Sequence, residues 1–157
     1  MKFYMVCITI LLNLSSHGQK LEQYCNPRFD FCIEYPASFN KQPAPTNNDG
    51  LIFLSQDKNA EIRAFGSLAI EDFDKLTQEF TTATNEISIK YKKISNNWFV
   101  FSGIDKKGNI VYRKTVKRKI NYFNQGDQYV FQTLMITYPA AQQQLYEPFC
   151  IKISQSL

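Results

Sequence analysis

The residues best suited to chemistry in this chain of 157 residues are its four cysteines and its single histidine. His17 and Cys7 lie in the first eighteen residues, where Lys2 precedes an apolar run from Phe3 to Leu14. That order is typical of a secretory signal peptide, and the small residues after the run favour cleavage after Gly18. Cleavage would remove the histidine, which is the commonest general base and metal ligand. We therefore expect no catalytic residue, no metal site and no bound cofactor in the part that remains.

The chain after the predicted cleavage, residues 19–157, has the length of one domain. The apolar run in residues 1–18 is shorter than the roughly 20 residues that a membrane-spanning helix needs, and no second run of that kind follows it. The whole chain has thirteen phenylalanines and nine tyrosines, and all of them except Phe3 and Tyr4 remain after the predicted cleavage to supply apolar surface for one core. We expect an exported protein, periplasmic or secreted, that is a monomer and has no transmembrane segment after cleavage.

Three cysteines remain after the predicted cleavage, namely Cys25, Cys32 and Cys150. Disulfides form and persist in the predicted compartment, and an odd number of cysteines allows one intramolecular bond and leaves one thiol over. No histidine remains to activate a thiolate, and the C-x-x-C spacing of redox proteins is absent. We predict a structural disulfide between Cys32 and Cys150, with Cys25 as the alternative partner of Cys150.

Two other patterns that can signal chemistry have structural explanations. Glu71, Asp72 and Asp74 cluster where a helix is predicted to begin. The helix dipole favours acids at that position, so the cluster does not require a calcium site. The glycines lack the spacing of a phosphate-binding loop. Neither pattern indicates an active site.

Basic residues are concentrated between Glu86 and Ile120. This stretch holds ten lysines and arginines and two acids, whereas the rest of residues 19–157 holds seven basic and twelve acidic residues. Alternation along the predicted strand Ile110–Tyr122 makes one of its faces wholly hydrophilic. One interpretation is an exposed or edge strand whose charges prevent edge-to-edge association. The other is a binding site for an anionic ligand, formed by Lys90, Lys92, Arg113, Lys117 and Lys119.

The second interpretation implies a particular kind of partner. The local positive field would attract lipopolysaccharide, an acidic polysaccharide or an acidic protein. Nucleic acid ranks below these, because the signal peptide takes the protein away from it. We therefore expect the partner to be an unknown protein or an anionic component of the cell envelope.

Periodicity predicts a series of strands with one helix inside the series and another at its end. Residues 29–35 alternate apolar and polar side chains up to Pro36, and we take them as the founding strand of the sheet. Apolar residues at helical spacing predict a helix capped by Asp72. They also predict a helix from Ala141 that Pro148 kinks or divides. The other predicted strands are residues 20–25, 51–55, 60–68, 86–93, 98–104, 110–122 and 128–138.

Aromatic residues and prolines mark two further segments. Alternation places Trp98 and Val100 on one side of the sheet. Phe99 and Phe101 then lie on the other side, and we expect both pairs in the core rather than in an aromatic pocket. The proline-rich loop Asn40–Asp49 is a second candidate for partner contact, because function is often carried by loops.

A set of framework residues follows a characteristic order along nearly all of residues 19–157. They are Phe31-Cys32-Ile33-Glu34-Tyr35-Pro36, Phe39, Asp49-Gly50, Phe53, Trp98, Val100, Ser102-Gly103, Tyr138-Pro139 and Ile153-Ser154. This order resembles the PsbP-like superfamily. That superfamily includes an extrinsic subunit of photosystem II, a nuclear-transport protein that binds the Ran GTPase, and many small exported bacterial proteins.

The resemblance implies an α+β fold in which an antiparallel sheet is flanked by helices, an α/β/α sandwich. It also implies action by binding partners rather than by catalysis, although no partner-binding residue of the known members can be placed on this chain. We expect an exported, non-enzymatic binding or accessory protein of the cell envelope, acting through contacts with a partner or an anionic surface. The alternative is a small hydrolase or lipid-handling protein with a site between sheet and helix, which an apolar pocket with convergent polar groups would favour.

Overall fold

The computed structural model describes residues 20–69 and 75–157, which form nine strands, two α-helices and two short 3-10 turns. The 3-10 turns span Tyr122–Asn124 and Ala140–Gln142. The helices are α1 (Leu76–Thr84) and α2 (Gln143–Ser154). The strands are β1 (Leu21–Asn26), β2 (Phe31–Pro36), β3 (Asn40–Lys41), β4 (Gly50–Leu54), β5 (Glu61–Ala69), β6 (Ser88–Ile94), β7 (Trp98–Ile104), β8 (Asn109–Asn121) and β9 (Asp127–Pro139).

Seven of the strands form one antiparallel sheet in the order β3-β4-β5-β9-β8-β7-β6. Strands β8 and β9 pair along their full lengths, from Asn109 opposite Pro139 to Asn121 opposite Asp127. The strands from β6 to β9 pair in chain order. Strand β5 pairs with β9, which places the last strand in the middle of the sheet.

Strand β2 does not belong to this sheet, so the prediction that residues 29–35 form the founding strand of the sheet is wrong. Among the described strands it pairs only with β1, in a separate two-stranded hairpin. The alternation in β2 is real, because Phe31, Ile33 and Tyr35 are buried. They are buried by packing the hairpin onto one face of the large sheet rather than by lateral pairing within it. Period-2 alternation predicts a strand with one buried face, and it does not specify what covers that face.

The two faces of the sheet bury separate apolar clusters. Hairpin β1–β2 and helix α2 cover one face, where Tyr35, Phe53 and Ile153 are fully buried. Helix α1 covers part of the other face, where Phe99 and Phe101 are fully buried. The predicted separation of Phe99 and Phe101 from Val100 is confirmed. The fold is therefore α+β and dominated by its sheet, with one short helix on one face and a hairpin and a helix on the other.

The disulfide joins Cys25 to Cys32, so the predicted Cys32–Cys150 bond is wrong. The two bonded cysteines are directly opposite each other on β1 and β2, with Cα atoms 4.0 Å apart. Cys32 alternates with Phe31 and Ile33, and it therefore lies on the side of β2 that faces away from the core. Cys150 is a buried free thiol in α2. The disulfide follows from the position of Cys25 opposite Cys32 across the two strands. The spacing of the cysteines along the chain did not predict this disulfide.

Both helices differ in detail from the prediction. The predicted cap Asp72 and the acids Glu71 and Asp74 lie outside the described residues, and α1 is described from Leu76. Helix α2 continues through Pro148 as one element instead of dividing there. The carbonyl group that Pro148 leaves without an amide donor belongs to Gln144, an exposed residue of the first turn. Water can satisfy that carbonyl group, which is why the proline is tolerated.

Candidate functional site

Within residues 20–69 and 75–157, strand β6 forms one edge of the large sheet and hydrogen-bonds only to β7. All seven of its residues are exposed, and three of them are lysines. Three large apolar side chains are also exposed there, with fractions of 36% for Ile89, 54% for Tyr91 and 44% for Ile94. An edge strand presents unpaired backbone donors and acceptors, so it can pair with another chain. We refer to residues Ser88–Ile94 as the β6 edge.

A β-bulge in β6 changes which of its side chains share a face. Ile89 lies opposite Gly103 and Tyr91 lies opposite Ser102, so Lys90 is the extra residue of the bulge. Strict alternation would place Lys90 and Tyr91 on opposite faces. In the structure both side chains line the same groove, which faces α2. The sequence carries no signal that predicted this change of face.

The close approach of β6 and β7 at the bulge requires a glycine. A Cβ atom on Gly103 would lie 2.5 Å from Cγ2 of Ile87 and 2.6 Å from the carbonyl oxygen of Ser88. Lys92 lies beyond the bulge on the opposite face, where its Nζ is 5.9 Å from the ring centre of Phe80. The bulge therefore separates Lys90 from Lys92, although the two were predicted to belong to one anionic-ligand site.

A groove of about 640 Å³ opens between the β6–β7 end of the sheet and α2. Its floor is formed by the sheet, and one of its walls is formed by one stripe of α2. The residues of that stripe, Gln143, Glu147 and Ile151, are four positions apart and exposed. This spacing could have identified the wall from the sequence. The other lining residues are Lys90, Tyr91, Val100, Ser102, Gly103, Ile104, Ile110, Tyr112, Tyr138 and Cys150.

The deepest polar groups of the groove are protonated at neutral pH. Burial raises the pKa of the Cys150 thiol to about 12, and the negative charge of Glu147 adds to this effect. Burial also raises the pKa of Tyr138 above its ordinary value. The two groups contact each other, with Sγ of Cys150 3.9 Å from Oη of Tyr138. A protonated thiol is a poor nucleophile.

We predict that the Cys150 thiol resists alkylation in the folded protein. A pKa raised from 9.0 to about 12 lowers the thiolate fraction at pH 8 about a thousandfold. Mass spectrometry of iodoacetamide-treated protein should show Cys150 unmodified at pH 8 and modified after unfolding in urea. Rapid labelling of Cys150 without urea would contradict the prediction. The raised pKa of Cys150 also links stability to pH. The stability that the neutral thiol contributes is present below pH 9 and is lost as the pH rises towards 12.

Arg113 is largely buried between the sheet and α1. Its side chain is only 11% exposed and forms an ion pair with Glu79 of α1. Its guanidinium carbon lies 5.7 Å and 5.8 Å from the ring centres of Phe65 and Phe99. Its Nε donates to Oγ1 of Thr115 at 3.1 Å. These contacts fix α1 onto the sheet, and they leave little of the guanidinium for a partner.

The other predicted cations of β8 also have partners within the protein. Nζ of Lys117 lies 5.0 Å from the ring centre of Tyr129, and Lys119 pairs with Asp127 at 3.1 Å. Strand β8 lies between β7 and β9, so it is not an edge strand and the edge-protection interpretation does not apply to it. That interpretation fits β6 instead. The five predicted ligand-binding residues therefore do not form one surface.

Two negative findings apply to residues 20–69 and 75–157. Neither α-helix in this part of the chain is long and apolar enough to cross a membrane. No group of three or more histidine, cysteine, aspartate or glutamate side chains in these ranges could hold a metal ion.

Sequence comparison and structure comparison give different results for this chain. No protein-family profile and no curated protein sequence matches it. Its fold is similar to the solution structure of cyanobacterial PsbP (CyanoP) from Synechocystis sp. PCC 6803, with a TM-score of 0.59. The two share 8% sequence identity over 90% of this chain and 94% of the other. The resemblance read from the framework residues is thus confirmed at the level of the fold, and the chain has a PsbP-like fold.

Proposed function

We propose that this protein is an exported, non-enzymatic binding protein that contacts an acidic partner through the β6 edge. The observation that carries the proposal is the exposure of an entire edge strand that combines three lysines with three large apolar side chains. The lysines attract acidic groups by their field, and the free backbone edge can add a strand from a partner. The apolar side chains would contribute the contact area.

Protection of the edge against self-association explains only part of this arrangement. Lysines and a bulge are both devices that discourage edge-to-edge pairing. Exposed Ile89, Tyr91 and Ile94 act in the opposite direction, because they increase the apolar surface that a second chain could cover. An edge that repels its own copy and still offers apolar contacts is suited to a partner of opposite charge.

Export is supported by two independent features. Residues 1–18 have the composition of a secretory signal peptide. The disulfide between Cys25 and Cys32 joins an exposed to a half-buried residue of a surface hairpin, and bonds of this kind persist in oxidising compartments. A location outside the cytoplasm would also bring the β6 edge into contact with envelope components.

The test is binding of poly-L-glutamate as a function of salt, with Lys92→Ser/Lys93→Ser compared with Lys106→Ser/Lys107→Ser. Each double variant removes two lysines, but only the first pair lies on the β6 edge; the second pair lies in the β7–β8 turn. We expect a loss of about tenfold in affinity for the first double variant and less than about twofold for the second, because screened surface charges act locally. The affinity of the unmodified protein should fall as salt increases.

Two results would refute this proposal. One is no binding of poly-L-glutamate by the unmodified protein at low salt. The other is an equal loss for the two double variants, which would show a response to net charge rather than to the β6 edge. If neither result is obtained, pull-down from envelope extracts with the same variants would identify the natural partner.

A further inference from the structure

We propose that the groove between sheet and α2 binds a zwitterionic amphiphile, with its apolar chain on the sheet and its charged head between Lys90 and Glu147. This site includes Lys90 and Tyr91 of the β6 edge, but it does not depend on the acidic-partner contact proposed there. Lys92, one of the two lysines that the poly-L-glutamate test replaces, lies on the face of β6 opposite the groove.

The size and lining of the groove fit an apolar chain. Its volume of about 640 Å³ lies within the roughly 300–1,000 Å³ of small-molecule sites. Val100, Ile104 and Ile110 provide an aliphatic floor, and the exposed side chains of Tyr91 and Ile151 extend the apolar surface at the two rims. Ile151 is 61% exposed. A ligand chain in the groove would remove this surface from water.

Two pairs of polar side chains at the groove already contact each other. Cys150 contacts the hydroxyl of Tyr138, and the hydroxyl of Tyr112 interacts with the side chain of Ser154. These pairs leave few donors or acceptors that a polar ligand would have to satisfy. The inner part of the groove therefore favours hydrocarbon over sugar, nucleotide or peptide backbone.

The rim carries one charge of each sign. The bulge in β6 directs Lys90 towards the groove, and α2 places Glu147 on the opposite wall. The carboxylate of Glu147 is held by Nε2 of Gln143 at 3.1 Å. It is close enough to the groove interior to raise the pKa of both Cys150 and Tyr138. A head that contains a phosphate and an ammonium group complements this pair of charges, whereas a purely anionic or cationic head would be repelled by one of them.

The experiment compares four single-chain amphiphiles below their micelle concentrations, by calorimetry and by amide shifts in the full chain. The probes are dodecylphosphocholine, dodecyl maltoside, dodecyl sulfate and dodecyltrimethylammonium, which share one chain and differ in the head. We expect dodecylphosphocholine to bind two- to fivefold more tightly than each of the others, about the effect of exposed charge pairs. The shifts should fall on β6, β7 and α2.

Three variants locate the site. Ser102→Phe fills the floor of the groove and should abolish binding of all four probes. Glu147→Lys should weaken dodecylphosphocholine about threefold and favour dodecyl sulfate, because it makes both rim charges positive. The matched control, Lys92→Glu on the other face of β6, should leave dodecylphosphocholine binding unchanged. Circular dichroism and thermal unfolding confirm that each variant is folded.

Several outcomes would overturn the inference. Equal affinities for dodecylphosphocholine and dodecyl maltoside would show that the head is not recognised. Unchanged binding by folded Ser102→Phe would place the amphiphile elsewhere. Self-association that Ser102→Phe abolishes, without amphiphile binding, would assign the groove to a second copy of the chain.

Discussion

Replacing Gly66 by alanine is expected to destabilise the protein by about 3 kcal/mol. Gly66 lies in β5, directly beneath the side chain of Phe29. A Cβ atom on Gly66 would overlap Cγ and Cβ of Phe29, which are close to the backbone and cannot turn aside. The segment that joins β1 to β2 would have to lift from the sheet, and the buried ring of Phe29 would lose its packing. Overpacking of this kind costs about 1–3 kcal/mol, and loss of a buried phenylalanine costs about 3–5 kcal/mol.

Urea unfolding of Gly66→Ala measures this effect, with Ser67→Ala as the control. Ser67 is the next residue of β5 and is exposed, so its replacement should change the free energy of unfolding by less than about 0.5 kcal/mol. The double variant Gly66→Ala/Phe29→Ala should be less destabilised than the sum of the two single variants, because the clash is then absent. An additive result would contradict the proposed overlap.

Replacing Glu79 by alanine is expected to cost about 2–3 kcal/mol. The guanidinium of Arg113 would then be left without its carboxylate on the α1 side of the sheet, with 11% of its side chain exposed. Burial already lowers the pKa of Arg113, and the charge of Glu79 opposes that shift. Breaking a buried ion pair by removing one partner costs about 3–5 kcal/mol. We expect less here because the Glu79 side chain is 28% exposed.

The matched variant for this prediction replaces both partners. Glu79→Met/Arg113→Met leaves no unpaired charge beneath α1, so it should be more stable than Glu79→Ala. Hydrogen exchange should locate the weakening of Glu79→Ala in α1 and the strands that it covers. A Glu79→Ala variant as stable as the unmodified protein would show that the ion pair behaves like an exposed surface pair.

The strands were predictable because their signal is local. Alternation of apolar and polar side chains along β7, β8 and β9 depends only on which face is buried, and short turns of Asn, Asp and Gly between strands favour hairpins. The separation of Phe99 from Val100 follows from the same period. The framework residues predicted the fold, because their order resembles that of PsbP-like proteins over nearly the whole domain.

The candidate site was less predictable because it depends on single-residue irregularities. Strict alternation assigned Ile89 and Tyr91 to one face, but the bulge at Lys90 moved Tyr91 to the other. The positive charge of β8 was evident in the sequence. The sequence did not show which of these basic side chains have partners within the protein, because such partners can be distant in sequence. Arg113, for example, contacts Glu79, a residue 34 positions earlier in the chain.

By itself, the sequence determined the local periodicities, the resemblance of the framework and the uneven distribution of charge. Only the tertiary structure decided that β2 lies across the sheet, that Cys25 rather than Cys150 is bonded to Cys32, and that β6 rather than β8 is the exposed basic edge. The physical reason is the same in each case. The apolar and polar periodicity of a strand shows that one of its faces is buried. The order of strands in the sheet, the cross-strand pairing and the bulges arise from contacts between residues that are distant in sequence.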